Sequence, residues 1–325
     1  MTRTALQNTA SIAGLGTGQF NALTSAQVAA LTSVQAAAIT STQVDAMSTD
    51  DVQALGATNV KMLSTASVAL LDSAQFNALT TAQFAALTTA QAAAFTSAQT
   101  ATMASDDLQA LTTAAVKVLS TDALAGMTSA QISNFTTTQV KALTAGQIAS
   151  LDSGDLNALT SDQFAVFSSA QAAALTSAQI DTMTTDDLVA LGSANVKTFS
   201  TASVALLDSA QFNALTTSQF AAFTTAQAAA ITSAQTATMA TDDLQALSTA
   251  SVKSLSTDAL AGMTSAQIGN FTTAQVRALT AGQVASLGSD DLNALGSDQF
   301  KVLTLNQIDH LHLEGVRLDS RMGDL

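Results

Sequence analysis

The stretch FNALTSAQVAALTSVQAAAITSTQ, from Phe20 to Gln43, repeats one eight-residue pattern three times. The pattern is a large apolar residue, Thr, a small residue, a further residue, Gln, an apolar residue and two residues that are usually small. We number this octad with Leu23 as position one, so that Thr is position two and Gln position five. From Leu15 to Leu311, position one recurs 38 times without an insertion or deletion and is always Leu, Ile, Met or Phe. Such a constant period indicates a repeat architecture.

A period of eight excludes two simple structures. A continuous α-helix turns about 100° per residue, so eight residues overshoot two turns by about 80° and no fixed face stays buried. In a flat strand, positions one and six would point to opposite faces. A β-solenoid that resets this parity at its corners remains an alternative, although Ala and Gln favour helices over strands.

Positions two and five together form a helix start signal. Position two is Thr, Ser, Asp or Gly in 35 of 37 octads, and position five is Gln in 23 and Asp in six more. Thr or Ser followed three residues later by Gln is a capping box, in which each side chain satisfies a free backbone N–H of the first turn. Positions one and six then have the spacing of a hydrophobic staple. We therefore predict an all-α solenoid with one short capped helix of about six or seven residues per octad.

The positions of the charged residues agree with a helix that begins after position two and ends near position eight of each octad. Of the 21 Asp residues up to Asp309, 18 fall at positions two, four or five, at the start of the predicted helix. Every cation inside the array falls at position seven, near its end: Lys61, Lys117, Lys141, Lys197, Lys253, Arg277 and Lys301. The helix dipole favours this distribution.

A single octad cannot fold alone, because two buried side chains contribute about 1.5–3 kcal/mol each against roughly 1.5 kcal/mol per ordered residue. The octads are therefore expected to coil into a superhelical rod, with the small residues at position eight allowing adjacent coils to approach closely. Longer segments of the sequence recur after 56 residues and after 136 residues. The difference between 136 and twice 56 is 24 residues, which suggests a spacing of three octads.

The sequence divides into three segments. Residues 1–14 form an N-terminal arm or cap, residues 15–311 the octad-repeat solenoid, and residues 312–325 a C-terminal tail that holds the only Glu, Glu314. Within the array, residues of about 20–155 are duplicated as about 156–291.

Composition restricts the partners. The 24 acidic and 10 basic residues give a net charge of −14, so neither nucleic acid nor an anionic membrane is an expected partner. No stretch is long and apolar enough to insert into a membrane, and the N-terminus lacks the pattern of a cleaved signal peptide. Cys is absent, which excludes disulfides and thiolate chemistry.

Candidate site residues are few. Five acidic pairs invite calcium or surface-cation binding, although acids at N2 and N3 also stabilise a helix start. The pairs are Asp50 and Asp51, Asp106 and Asp107, Asp186 and Asp187, Asp242 and Asp243, and Asp290 and Asp291. His310 and His312 are expected in a surface tail, with metal binding as the alternative. No catalytic residue and no cofactor other than calcium is predicted, so we expect no enzyme.

The octads, for example LTSAQVAALTS and LTTAQFAALTTAQ, resemble Thr/Ala/Gln-rich arrays of large repetitive proteobacterial surface and type I secreted proteins, which are adhesin-like or S-layer-like. This resemblance implies an extracellular or cell-surface location, reached without a cleaved N-terminal signal. It favours a structural protein that associates with itself into a filament, sheath or layer. The alternative is a monomeric solenoid that binds a protein, glycan or cation.

Overall fold

The computed structural model describes residues 9–313, which form two compact units divided between Val166 and Phe167. Within these residues every regular element is an α-helix and no strand occurs. The helices follow one another at the period of the octad. The predicted all-α solenoid is confirmed, and the β-solenoid alternative is wrong.

The helices of the first unit are α1 Thr9–Ala13, α2 Thr17–Phe20, α3 Ser25–Ala29, α4 Ser33–Ala36, α5 Ser41–Asp45, α6 Thr49–Ala54, α7 Gly56–Val60, α8 Thr65–Leu70, α9 Ser73–Ala78, α10 Thr81–Ala86, α11 Thr89–Ala92, α12 Ser97–Thr100, α13 Ser105–Ala110, α14 Thr113–Val118, α15 Thr121–Ala125, α16 Ser129–Ser133, α17 Thr137–Ala142, α18 Ala145–Ser150, α19 Ser153–Asn157 and α20 Ser161–Phe164.

The helices of the second unit are α21 Ser169–Ala173, α22 Ser177–Asp181, α23 Thr185–Ala190, α24 Gly192–Val196, α25 Thr201–Leu206, α26 Ser209–Ala214, α27 Thr217–Ala221, α28 Thr225–Ala229, α29 Ser233–Thr238, α30 Thr241–Ala246, α31 Thr249–Ser254, α32 Thr257–Ala261, α33 Ser265–Gly269, α34 Thr273–Ala278, α35 Ala281–Ala285, α36 Ser289–Ala294, α37 Ser297–Phe300 and α38 Leu305–Leu313.

Each helix before α38 has four to six residues, slightly fewer than predicted. The reason is that the chain leaves the helix before the next cap. Leu79, for example, follows α9 with φ −58° and ψ 135°, and Thr80 then has φ −76° and ψ 156°. In octads of this kind, two extended residues between the helices turn the chain.

The predicted capping box is present in the octads that have Thr and Gln. At the start of α11, the backbone N–H of Gln91 donates to Thr88 Oγ1 over 3.2 Å. The backbone N–H of Thr88 donates to Gln91 Oε1 over 2.9 Å in return. Two free donors of the first turn are thus satisfied by side chains of the same octad.

Within each unit, most helices pack against the third helix before or after them, as α10 does against α7 and α13. One coil therefore contains three octads, the spacing that the 24-residue remainder suggested. In the first unit this packing places Gln91 beside the end of α7. Its Nε2 donates to Val60 O and to Leu63 O, each over 2.9 Å.

The Gln side chain at position five thus makes two sets of contacts. Gln91 Oε1 accepts from the backbone N–H and the hydroxyl of Thr88, while Nε2 donates to carbonyls 28 and 31 residues earlier. The same donor pattern recurs in both units, for example at Gln147 and Gln235. Because all four hydrogen-bonding positions of the amide are used, burial of the side chain leaves none of its polar atoms without a partner.

Positions one and six form the core of each unit. Val68 and Leu71 have 0% and 3% of their surface exposed. Larger side chains cluster in the same layer, where the ring centroid of Phe76 lies 5.2 Å from that of Phe84 and 4.9 Å from that of Phe95, both edge to face. This arrangement is favourable for aromatic rings.

Adjacent coils approach closely at two glycines near the helix ends. A Cβ added to Gly126 would lie 2.5 Å from Ser97 O, and one added to Gly262 would overlap Ser233 O. Both glycines occupy position eight, where small residues were predicted to allow this contact.

Two octads have a left-handed glycine at the cap position. Gly56 and Gly192 at position two have φ of +65° and +72°, and the preceding Leu residues stay helical. Position five is Asn in both octads, and Asn59 donates to Leu31 O over 2.8 Å, 28 residues earlier. The contact between coils is kept, but the reciprocal cap bond is replaced by a left-handed glycine.

We expect Gln91→Ala to lower the free energy of unfolding by about 3 kcal/mol, because two buried carbonyls and one cap N–H lose their partner. Gln53 is exposed at position seven, so Gln53→Ala is the matched control and is expected to change stability by about 0.5 kcal/mol or less. Urea unfolding followed by circular dichroism measures both. Equal effects of the two substitutions would contradict the role of the buried amide.

We expect Gly262→Ala to destabilise the protein by about 1–3 kcal/mol, since the added methyl group would overlap backbone atoms of Ser233. A methyl group added to Gly282, in the middle of an octad, would have no neighbouring atom within 4 Å. Gly282→Ala is therefore expected to stabilise the protein by about 0.5–1 kcal/mol. Thermal unfolding of the two variants distinguishes close coil packing from a general preference for glycine.

Candidate functional site

The five acidic pairs occupy the first turn of their helices, as predicted. The first member of each pair, at N2, is exposed, whereas Asp51, Asp107, Asp187 and Asp243 at N3 are buried and Asp291 is half-buried. The two carboxylates of a pair therefore lie in different environments.

Three of the buried members accept hydrogen bonds from the preceding coil. Ser25 Oγ donates to Asp51 Oδ1 over 2.9 Å, and Thr81 Oγ1 donates to Asp107 Oδ1 over 3.0 Å. Thr217 makes the same contact with Asp243. Each donor lies 26 residues earlier, at position three. A carboxylate at position five thus accepts from a neighbouring coil where Gln would donate.

Burial changes the ionisation of two of these acids, Asp107 and Asp243, and of Asp155, which occupies position five in another octad. Desolvation raises the pKa of Asp107, Asp155 and Asp243 above the ordinary value of an aspartate, and it outweighs the lowering by the hydroxyl donor of the preceding coil. A neighbouring aspartate raises the pKa of each further. These three groups are therefore protonated more easily than an ordinary aspartate.

Within residues 9–313, no three His, Cys or acidic side chains lie close enough together to hold a metal ion. Calcium binding at the acidic pairs stays a prediction. His310 is exposed in α38, and its Nδ1 lies 2.9 Å from Asn306 O. The side chain of His312 lies outside the described residues, and metal binding there also stays a prediction.

The cations at position seven line up across stacked helices of neighbouring coils, in stripes that were not predicted from the sequence. Lys117 and Lys141 lie on α14 and α17, which pack together in neighbouring coils of the first unit. Lys253, Arg277 and Lys301 form the corresponding stripe on α31, α34 and α37 of the second. The spacing of 24 residues between these cations is the feature of the sequence that could have indicated the stripes. It has a meaning only once the number of octads per coil is known.

Two open grooves lie on the surface of the described residues. One of about 530 Å³ in the second unit is lined by Lys253 and Arg277 together with Thr249, Thr280 and Asn306. One of about 370 Å³ in the first unit is lined by small and uncharged side chains such as Ser33 and Thr58. The first groove can attract an anionic group, because two cations and several hydroxyls line it and no carboxylate does.

None of the helices within residues 9–313 has the length and hydropathy that crossing a membrane requires.

The raised pKa values of Asp107 and Asp243 predict a pH-dependent stability. A raised pKa stabilises the folded protein below the ordinary aspartate pKa, and this contribution is lost as pH rises through the folded-state pKa. The free energy of unfolding of Asp107→Asn/Asp243→Asn, relative to that of the wild type, should therefore be higher at pH 7 than at pH 3. Urea unfolding at both pH values tests this.

The control for this experiment is Asp122→Asn/Asp258→Asn. These residues are exposed at N2 and, like the tested pair, lie 136 residues apart. Because both side chains are exposed, we expect this pair to lack the gain that comes from removing a buried carboxylate. If both double variants change with pH in the same way, burial of Asp107 and Asp243 is not the cause.

The similarity of the chain to individual known proteins is slight. No curated protein matches it. Among solved structures, the leucine-rich repeat-containing protein LegL7 from Legionella pneumophila is similar over 73% of this chain and 86% of that one, at 13% identity. The TM-score of 0.19 is too low for that likeness to support an argument about fold or function.

A family model described as the ALTTAQ repeat matches the chain in nine overlapping or separate segments. They are residues 8–33, 44–81, 56–89, 68–105, 101–137, 148–185, 181–217, 237–273 and 270–305. The segments together span well over half of the sequence and include helices of both units. The chain therefore belongs to the ALTTAQ repeat family.

Proposed function

We propose that the chain is a non-enzymatic structural repeat protein of a bacterial surface or extracellular assembly, which associates with itself into a filament, sheath or layer. One observation carries this proposal: each unit presents a face of stacked helices with small and apolar exposed side chains. In the first unit the face is formed by α5, α8, α11, α14 and α17, and we call it the α11 face. In the second it is formed by α22, α25, α28, α31 and α34, and we call it the α28 face.

The exposed positions of these faces, which are three, four, seven and eight, are mostly Thr, Ser and Ala. Three larger apolar side chains lie among them, with 49% of Leu70, 37% of Val118 and 50% of Leu206 exposed. Each face has three charged side chains along five helices. Small side chains allow close approach of another surface, and exposed apolar groups gain from being covered.

The extracellular location is proposed from composition. The chain is acidic, has no Cys and has few Lys residues, a composition similar to that of S-layer and type I secreted proteins. The absence of Cys by itself is compatible with any redox compartment. The absence of an enzymatic role is proposed because the hydroxyls at position two are used in helix caps, as at Thr88, and the described histidine, His310, is exposed.

A second candidate function is that of a monomeric solenoid that binds a ligand. The groove between Lys253 and Arg277 favours it, because its cations and hydroxyls suit an anionic group on a glycan or protein. Both functions use the surface of the solenoid, and they differ in whether copies of the chain contact each other.

Sedimentation velocity and electron microscopy of the purified chain separate the two. We expect the protein to form ordered oligomers or filaments as its concentration rises, with and without calcium. Monomers at every protein, salt and calcium concentration would reject self-association and favour the ligand-binding module.

A further inference from the structure

The charged side chains of the α11 face follow a definite order. At position seven the column reads Asp45, Ala69, Ala93, Lys117 and Lys141 from α5 to α17. An acid therefore marks one end of the face and two cations mark the other. Asp45, Lys117 and Lys141 are exposed, and none of them forms an ion pair within the described residues.

The second unit repeats this order. On the α28 face, position seven reads Asp181, Ala205, Ala229, Lys253 and Arg277. Each residue lies 136 positions after its counterpart, and the change from Lys141 to Arg277 keeps the charge. The order of acid, two alanines and two cations is thus present in both copies of the duplicated sequence. Beyond the α28 face, Lys301 extends the stripe of the second unit, and its Nζ lies 3.5 Å from Asp298 of its own octad.

The opposite charges of one face are too far apart to pair with each other. Packed helices lie about 8–10 Å apart, so three coil spacings separate Asp45 from Lys117 by roughly 24–30 Å. Lys141 lies one coil farther. An ion pair between the ends of the face therefore requires a second copy of the chain.

The order of charges also selects how a second copy would lie. If two α11 faces packed with their coils in the same direction, Asp45 would lie opposite Asp45 and the cations opposite cations, which repel. If the second copy is rotated by 180° about an axis that lies between the two faces and parallel to α11, the order of its helices is reversed. Asp45 then lies opposite Lys141, and Ala93 lies opposite Ala93. The same rotation places Leu70 of one copy on Val118 of the other.

We propose that the α11 face is an antiparallel, two-fold contact between two copies of this chain, and that the α28 face is built for the same kind of contact. This inference rests on the proposed function and names the surface that performs it. A two-fold contact closes on itself as a dimer. Two such faces in one chain supply the second contact that a larger assembly needs.

The test is a charge exchange in the full-length chain. Lys141→Asp/Arg277→Asp places acid at both ends of each face, and we expect it to weaken association on the order of tenfold. Adding Asp45→Lys/Asp181→Lys to the same chain reverses the order of the charges and should restore association. The two double variants should also associate when mixed, although neither does so well alone.

The matched control is Lys61→Asp/Lys197→Asp. Both residues occupy position seven, lie 136 positions apart and belong to the octads of α7 and α24, outside the two faces. The control changes the net charge by the same amount as the first variant. Sedimentation velocity should show wild-type association for it, and circular dichroism should show the same helicity in every variant.

Cysteine crosslinking tests the position of the axis, since the natural chain has no Cys. Ala93→Cys is expected to crosslink to itself under mild oxidation, whereas Leu70→Cys should crosslink to Val118→Cys and poorly to itself. Ala85→Cys has the same octad position on α10, outside the face, and should remain monomeric.

The outcomes separate the two proposals. A wild-type chain that stays monomeric at all concentrations would reject both the proposed function and this contact. A wild-type chain that associates while Lys141→Asp/Arg277→Asp associates equally well, or while Ala93→Cys fails to crosslink, would reject the contact alone. Weakening by charge reversal, restoration by exchange and the expected crosslinks together support it.

Discussion

The buried Gln side chain at position five is the interaction on which the solenoid depends. In Gln91 the oxygen of one amide accepts from the cap of its own helix, while the nitrogen donates to Val60 and Leu63 in the preceding coil. Helices of four to six residues have little stability of their own, because nucleation of a helix is unfavourable. The amide compensates for this by joining the start of one helix to the end of another. Local and long-range order are therefore formed by the same group.

Substitutions at position five show what this position requires. Asn59 keeps the bond to the preceding coil but is too short for the cap, and Gly56 replaces the cap by a left-handed turn. Asp107 cannot donate, and it accepts from Thr81 instead. Its burial raises its pKa, which is the electrostatic cost of placing an acid where an amide is better suited. The Asn and Asp side chains thus still contact the neighbouring coil, whereas the octads with Ala115, Ala123 and Ala259 at position five form their helices without a side-chain hydrogen bond there.

Much of the fold could be predicted from the sequence because the relevant interactions are local. The capping box, the hydrophobic staple and the segregation of charge all act within one octad, as Thr88 and Gln91 illustrate. The donation from Gln91 to Val60 could not be predicted, since every octad has the same phase and the sequence does not specify which octad stacks on which. The partner of Asp107 was hidden for a related reason: position three is Ser or Thr in most octads, so Thr81 does not stand out. The cation stripes also became visible only when the coil was known to contain three octads.

The reach of the Gln amide sets how this chain can change in length. Its nitrogen meets carbonyls 28 and 31 residues earlier, and both intervals are fixed by the spacing of one coil. Gain or loss of one residue within a coil would shift the amides of the next coil, whose intervals span that site, away from their acceptors, although the composition of the chain would hardly change. Gain of a whole octad preserves each cap but moves every later helix to the next side of its coil. Growth by recombination is thereby restricted to multiples of eight, and only multiples of 24 keep a given surface in line.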